Sequence, residues 1–114
     1  MIEQVRHFLE LHGEARFTDV NRPNVIEDHA PRTLNKAGFR EMNDSGQVEY
    51  YCYPEVFKAE VCKGSDHRAV ARLLADRGYM KYDKRRLDTK KDLPGEKRKR
   101  IFHVLPTIWV DEND

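Results

Sequence analysis

The chain has 114 residues and a net charge of +1, and 39% of its residues are hydrophobic while 36% are charged. This length suits one domain, residues 1–114, with a modest core, and the mean hydropathy of −0.86 indicates a heavily solvated surface. No apolar run approaches the roughly 20 residues that a membrane helix needs. The first residues also lack the basic start and apolar stretch of a signal peptide. We therefore expect a cytoplasmic protein with no membrane partner.

The first half of the chain predicts a helix, a loop and a hairpin in that order. Residues 2–12 place apolar side chains on one helical face, and Gly13 is the expected end of that helix. Residues 14–36 have no clear periodicity and are predicted to be ordered loop, with either a short helix near residues 32–36 or a turn at Thr33 and Asn35. In residues 38–53, strand-forming side chains lie on both sides of Asn43-Asp44-Ser45-Gly46, which is typical of a β-hairpin with its turn.

Two short helices are predicted next. Pro54 opens residues 54–62 at the first helical position, where its missing N–H is not needed. Lys63-Gly64-Ser65 breaks this helix, and Asp66 is the expected N-cap of residues 67–77, with Ser65 as the alternative. The buried stripe of this helix is predicted to consist of aliphatic side chains: Ala69, Val70, Ala71, Leu73 and Leu74. Gly78 is expected to end it.

The last third predicts a short strand at YMKY and then a basic hairpin that turns at Pro94-Gly95. Two helices joined by a Gly-containing turn are typical of a helix-turn-helix. A hairpin directly after the second helix, with residues 2–12 as a third helix, indicates a winged helix. The fold class predicted is therefore α+β, a winged helix-turn-helix with an additional hairpin at residues 38–53, whose place the pattern does not determine.

Positive charge is concentrated in residues 81–100, which hold ten Lys or Arg and four Asp or Glu, whereas the rest of the chain is net acidic. Such clustering is expected of a surface that binds phosphates. A solvated hairpin whose lysines protect its edge from other strands explains the same composition. The interleaved acids Asp83, Asp88, Asp92 and Glu96 weaken the positive field.

In a helix-turn-helix, the N-terminal residues of the second helix meet base edges in the major groove. Arg68 and Arg72 are four residues apart and so share one helical face. Arginine can pair with guanine or bridge phosphates. The alternative is a solvent-facing surface on which Arg72 pairs with Asp76. The residues predicted to bind nucleic acid are Lys63, Ser65, His67, Arg68, Arg72, Arg85, Lys90, Lys97, Arg98, Lys99 and Arg100.

Metal binding and catalysis find little support in the sequence. Cys52, Cys62 and His67 do not have the spacing of a structural zinc site, which needs four ligands. Both cysteines are expected to be reduced, buried small side chains. No nucleophile elbow and no phosphate-binding GxxxxGK[ST] loop occurs. We expect no cofactor, no small-molecule substrate and no catalytic residue in this chain.

The run PEVFKAEVCKGSDHRAVARLLADRGYM is followed by DLPG and RIFHV and preceded by RPNVIEDHAPRTLNKAGFR. It resembles the C-terminal region of large primase/helicase-like proteins of bacterial plasmids, phages and integrative elements, long classed as a domain of unknown function. The resemblance covers residues 17–104 and implies a winged-helix-like terminal piece of a larger protein. The ATP-driven motor and any primase would lie elsewhere in that protein, and the family offers no catalytic residues to transfer.

We therefore predict a non-catalytic accessory domain that holds DNA, duplex or forked, within a mobile-element replication protein and contacts other domains of the same polypeptide. Two alternatives stay open. One is a winged helix that binds partner proteins through an apolar patch at Ile108 and Trp109. The other is a stand-alone regulator, which would usually need a dimer to read paired half-sites. The pattern does not distinguish DNA from RNA.

Overall fold

In the computed structural model of the chain, residues 1–22 and 35–110 are described. They form a mixed α+β fold in which strands dominate, and this confirms the predicted class. The elements in chain order are α1 Ile2–His12, β1 Phe17–Asp19, β2 Gly38–Met42, β3 Val48–Cys52, α2 Pro54–Val56 with a π-helical turn Phe57–Val61, α3 His67–Asp76, β4 Met80–Lys81, β5 Thr89–Leu93, β6 Glu96–Val104 and a 3₁₀ helix Pro106–Trp109. No helix in these two ranges has both the length and the apolar character needed to cross a bilayer.

The predicted hairpin at residues 38–53 is confirmed and lies inside the sheet. The strands follow the order β1-β2-β3-β6-β4, and β5 pairs with β6. The Asn43 side chain holds the turn by accepting hydrogen bonds from the Ser45 and Gln47 amides. Because β3 pairs with β6 from Cys52↔Phe102 onward, the hairpin joins the N-terminal half to the C-terminal strands.

The prediction of loop across residues 14–36 is wrong for β1, Phe17–Asp19. Phe17 pairs in parallel with Gly38, and the Phe17 side chain is fully buried. A three-residue strand is too short to leave a periodic signal, and its partner lies about 20 residues away in the chain, so pairing decides its structure. Residues 23–34 of that segment, which include part of the alternative short helix near residues 32–36, lie outside the described residues.

The helices pack on one face of the sheet. Phe57 stacks on Phe102 with ring centroids 4.2 Å apart, and both belong to the main core together with residues from α1 and α3. The predicted helices at 2–12, 54–62 and 67–77 are confirmed, with one correction in the buried stripe of α3. Ala69 is exposed and Leu73 is half-buried, and Ala75 is buried instead. The pairs Val70–Leu74 and Ala71–Ala75, each four residues apart, face the core.

The break between the helices is also confirmed. The Cys62 amide donates to the Phe57 carbonyl at 2.8 Å, which closes the π-helical turn. Gly64 then takes a left-handed conformation with φ +83°. The Asp66 carboxylate caps α3 by accepting a hydrogen bond from the Arg68 amide at 3.0 Å. The N-terminal residues of α3 are therefore held in one defined orientation.

A second, smaller core lies on the opposite face of the sheet, because alternate residues of a strand point to opposite sides. It consists of Phe39, Tyr51, Leu93 and Ile101. The hairpin of β5 and β6, which turns at Pro94-Gly95 as predicted, covers this face. Tyr51 is only 2% exposed, so it serves packing and offers no face to a ligand.

A seven-residue loop, Tyr82–Asp88, separates β4 from β5. Both strands run antiparallel to β6, with Lys81 opposite His103 and Thr89 opposite Ile101. The 82–88 loop therefore leaves the sheet beside the single residue Phe102. An isolated bridge between Asp83 and Arg86 closes it, and Leu87 packs against the main core.

Candidate nucleic-acid interface

Arg68 and Arg72 both lie on the exposed side of α3. Within residues 1–22 and 35–110, neither guanidinium forms an ion pair, so the pairing of Arg72 with Asp76 that the alternative interpretation required does not occur there. Two arginines without acidic partners on one helical face can accept an anionic ligand without first giving up an internal contact.

A cleft of about 450 Å³, called here the α3 cleft, lies between α3 and the 82–88 loop. Its lining residues are His67, Arg68, Ala71, Arg72, Arg85, Arg86, Leu87, Asp88 and Phe102. The two arginines of α3 therefore face Arg85 and Arg86 of the loop. Four of the predicted binding residues therefore line this one cleft: His67, Arg68 and Arg72 on α3, and Arg85 in the loop.

Asp88 is the only acidic residue among the described residues that line the α3 cleft. Arg86 donates to both of its carboxylate oxygens, at 2.7 and 3.1 Å, and Arg100 donates to one of them at 3.2 Å. The hydrogen bonds from Arg86 hold the pKa of Asp88 below its usual value. Its negative charge is thus already shared between two guanidinium groups, and the cleft as a whole is positive.

The other cations of the hairpin lie apart from the α3 cleft. Lys97 and Arg98 are exposed beside the turn, and the Lys99 ammonium lies 5.2 Å from the centre of the Tyr53 ring. Arg98 has a left-handed backbone with φ +52°, and its amide donates to Asp92 Oδ1 at 2.8 Å. Only Arg100 approaches the α3 cleft, through Asp88.

Lys63 and Ser65 do not line the α3 cleft either. The Ser65 hydroxyl donates to Gln4 Oε1 at 2.9 Å, and the Lys63 carbonyl accepts from Gln4 Nε2 at 3.3 Å. These contacts fasten the connection before α3 to α1. Lys63 contributes only its backbone carbonyl to these contacts, and its side chain is exposed.

A second cleft, of about 490 Å³ and called here the β6 cleft, lies on the other side of the 82–88 loop. Its lining residues are Lys81, Tyr82, Asp83, Thr89, Lys90, Lys91, Arg100 and His103. Of this set, only Lys90 and Arg100 were predicted to bind nucleic acid. Their cross-strand pairing, Lys90↔Arg100, follows from the hairpin register, whereas the approach of Lys81 and Tyr82 depends on the path of the 82–88 loop.

Comparison of the chain with protein-family models, with curated proteins and with solved structures found no match. The resemblance to primase/helicase-like proteins therefore stays a prediction. Within the described residues, no group of three or more His, Cys, Asp or Glu side chains is arranged to hold a metal ion.

Proposed function

We propose that this chain is a nucleic-acid-binding accessory domain of the winged-helix type, without catalytic activity of its own. In this proposal, α3 enters the major groove of a duplex. The hairpin of β5 and β6 is the wing and lies along the phosphate backbone. Cations on the hairpin then add affinity that does not depend on sequence and weakens as salt rises.

The observation that carries the proposal is the α3 cleft. Arg68 and Arg72 approach Arg85 and Arg86 there, and the single lining acid, Asp88, already accepts hydrogen bonds from two arginines. Concentrating like charges in a concave space is unfavourable unless an anion shares it. Guanidinium groups bind phosphate oxygens in pairs and also recognise the N7 and O6 edge of guanine. A nucleic-acid backbone with bases beside it supplies both kinds of partner.

The order of the elements also supports the winged-helix assignment. Helices α1, α2 with its π-helical turn, and α3 share one core, and β4, β5 and β6 follow directly. Two features go beyond a minimal winged helix: the sheet extends through β1, β2 and β3, and the 82–88 loop lies between α3 and the wing. In the proposed complex this loop adds Arg85 and Arg86 to the surface presented by α3.

The resemblance to primase/helicase-like proteins of mobile elements supports an accessory role within a larger replication protein. Our proposal is that the domain holds DNA while a motor or primase elsewhere in the polypeptide acts on it, in the cytoplasm. A stand-alone regulator would instead be expected to dimerise on paired half-sites.

The alternative of a protein-interaction module depended on two apolar anchors. Ile108 is fully buried, whereas Trp109 is 42% exposed. The larger anchor, Trp109, is therefore exposed and this alternative keeps it, but the paired basic side chains of the α3 cleft favour nucleic acid over an apolar partner.

The direct test is a fluorescence-anisotropy titration of the domain against single-stranded, blunt duplex and forked DNA at two salt concentrations. We expect binding that weakens steeply as salt rises. Replacing Lys97 and Arg98 with alanine should weaken all duplex-containing ligands to a similar extent, because a wing contacts phosphates. Unchanged affinity in that variant would refute the wing role, and absence of salt-sensitive binding to any of the DNAs would refute the proposal.

A further inference from the structure

The β6 cleft presents several cations and one exposed aromatic side chain, and two of its lining residues, Lys81 and Tyr82, lie outside both α3 and the hairpin of β5 and β6. Neither Lys81 nor Lys90 forms an ion pair within the described ranges, and both line the cleft. Tyr82 stands at its margin with 58% of its surface exposed. Its acidic member, Asp83, accepts a hydrogen bond from the Lys84 amide and so is engaged with the backbone of the loop.

The two clefts are connected around the 82–88 loop. A third depression, of about 290 Å³, shares Arg72 and Arg85 with the α3 cleft. It shares Tyr82 and Asp83 with the β6 cleft. An extended polyanion that leaves the α3 cleft can thus follow Arg85 and Lys84 to Lys81 and Lys90. Two acids, Asp76 and Asp83, also line this route.

We propose that the β6 cleft binds an unpaired nucleotide of the strand that continues from the duplex at α3. Tyr82 stacks on the base, and Lys81, Lys90 and Arg100 contact the neighbouring phosphates. The cleft volume of about 490 Å³ lies within the roughly 300–1,000 Å³ typical of small-ligand sites. Positive grooves with aromatic side chains on which bases stack are the general means of binding single strands.

This inference rests on the proposed function, since the duplex contact at α3 delivers the strand to the β6 cleft. It adds that the domain prefers a duplex joined to a single strand over a blunt duplex. The preference would depend on Tyr82 and Lys81, which lie outside α3 and the hairpin of β5 and β6, and so the two contributions can be separated by mutation.

The experiment compares a blunt duplex with the same duplex carrying a single-stranded extension, at either end and at one salt concentration. The wild-type domain should bind one extended form at least about fivefold more tightly than the blunt form, given what base stacking on an aromatic side chain contributes. Y82A and K81A should each abolish this difference while leaving blunt-duplex affinity unchanged, because Tyr82 and Lys81 lie outside both α3 and the hairpin of β5 and β6. Y82F, which keeps the ring, should retain it.

A control variant and a crosslink make the result specific. The double variant R22A/K58A removes two cations whose side chains line none of the three depressions, and it should behave as wild type toward both ligands. With 5-iodouracil in the extension, irradiation should form an adduct at Tyr82. Free nucleoside monophosphate should not compete with the extended duplex.

The inference fails if wild type binds both ligands equally, if Y82A weakens both equally, or if free mononucleotide displaces the strand. In each of these cases blunt-duplex binding that still depends on Arg68 and Arg72 would leave the proposed function intact. The converse result is that R68A/R72A leaves blunt-duplex binding unchanged while the preference for the extension still depends on Tyr82. This result would refute the role of α3 and support the single-strand site in the β6 cleft.

Discussion

His103 Nε2 lies 2.5 Å from Glu49 Oε1, joining β6 to β3 near the floor of the β6 cleft. Burial lowers the pKa of His103 below its usual value even though the hydrogen bond to Glu49 acts in the opposite direction. Burial alone would raise the pKa of Glu49, but hydrogen bonds from His103 and Asn43 outweigh it and lower that pKa. The pair is thus a neutral imidazole donating to an ionised carboxylate.

This pair predicts how stability depends on pH. Because both folded pKa values are lowered, the unfolded chain binds protons more readily, and the stabilisation is present at neutral pH and lost on acidification. The first loss should begin as pH falls through the ordinary histidine value of about 6.5, and the contribution of Glu49 should follow below its own ordinary value. We expect H103Q, which can still donate to Glu49, to flatten the upper part of this decline in urea unfolding between neutral and mildly acidic pH.

The exposed His7 provides the matched control for this exchange, since H7Q changes the same residue type away from the sheet. It should leave the pH dependence as in wild type. If H103Q retained the full wild-type slope above the titration of the carboxylates, His103 would not be the group responsible.

Replacing the two arginines of α3 should lower the affinity for nucleic acid by a measurable amount. R68A/R72A should weaken duplex binding by about 2 kcal/mol or more if at least one arginine meets a base edge. The slope of log affinity against log salt should fall by up to about 2 if both meet phosphates. Anisotropy titrations at several salt concentrations measure both quantities. Both side chains are exposed, and so the thermal unfolding curve should not change.

R22A/K58A is again the comparison, because it removes the same formal charge from exposed positions outside the α3 cleft. A similar loss of affinity in this variant would mean that net charge alone drives binding and that the cleft has no special part.

Local signals sufficed to predict α3 and its cap. Asp66, the apolar spacing from Val70 to Leu74, and Gly78 lie within one short segment, and each favours the same helix. Ala69 was predicted to be buried and Ala75 was not included in the stripe, because alanine is compatible with either environment. Packing against α1 and the sheet decides which of them is buried.

The clefts could not be predicted in the same way. Which cations meet depends on the register of β4 and β5 along β6 and on the path of the 82–88 loop between them. The sequence pattern predicted one set of binding residues that included Arg68, Arg72 and Lys97 to Arg100, but it did not determine which of them lie together. In the structure Arg85 and Arg86 line the cleft with Arg68 and Arg72, because Leu87 anchors the loop in the main core next to α3.

Replacing Asp88 with asparagine is expected to raise the affinity for duplex DNA. D88N removes the carboxylate charge that now engages Arg86 and Arg100, and both guanidinium groups become available to phosphate. We expect duplex affinity to rise a few-fold and its salt dependence to steepen, since more counterions are released on binding. Unchanged or weaker binding would show that the ordered position of the two arginines matters more than their free charge. D44N, in the exposed turn between β2 and β3, controls for the change in net charge.

Of the variants proposed, replacement of Gly38 by alanine should cause the largest loss of stability. A Cβ atom at this position would lie 1.9 Å from the Tyr51 carbonyl oxygen, and both backbones are fixed by the pairing of β2 with β1 and with β3. G38A must therefore separate strands, and we expect it to lower the free energy of unfolding by about 3 kcal/mol or more.

Gly64 offers the comparison, because φ is also positive there but no atom lies within 4 Å of an added Cβ. G64A should cost only about 1–2 kcal/mol, the ordinary penalty of a left-handed backbone. Urea unfolding followed by circular dichroism measures both variants. Equal stability of G38A and G64A would mean that β2 and β3 can move apart at little cost. If G38A does not fold at all while G64A does, the predicted order still holds.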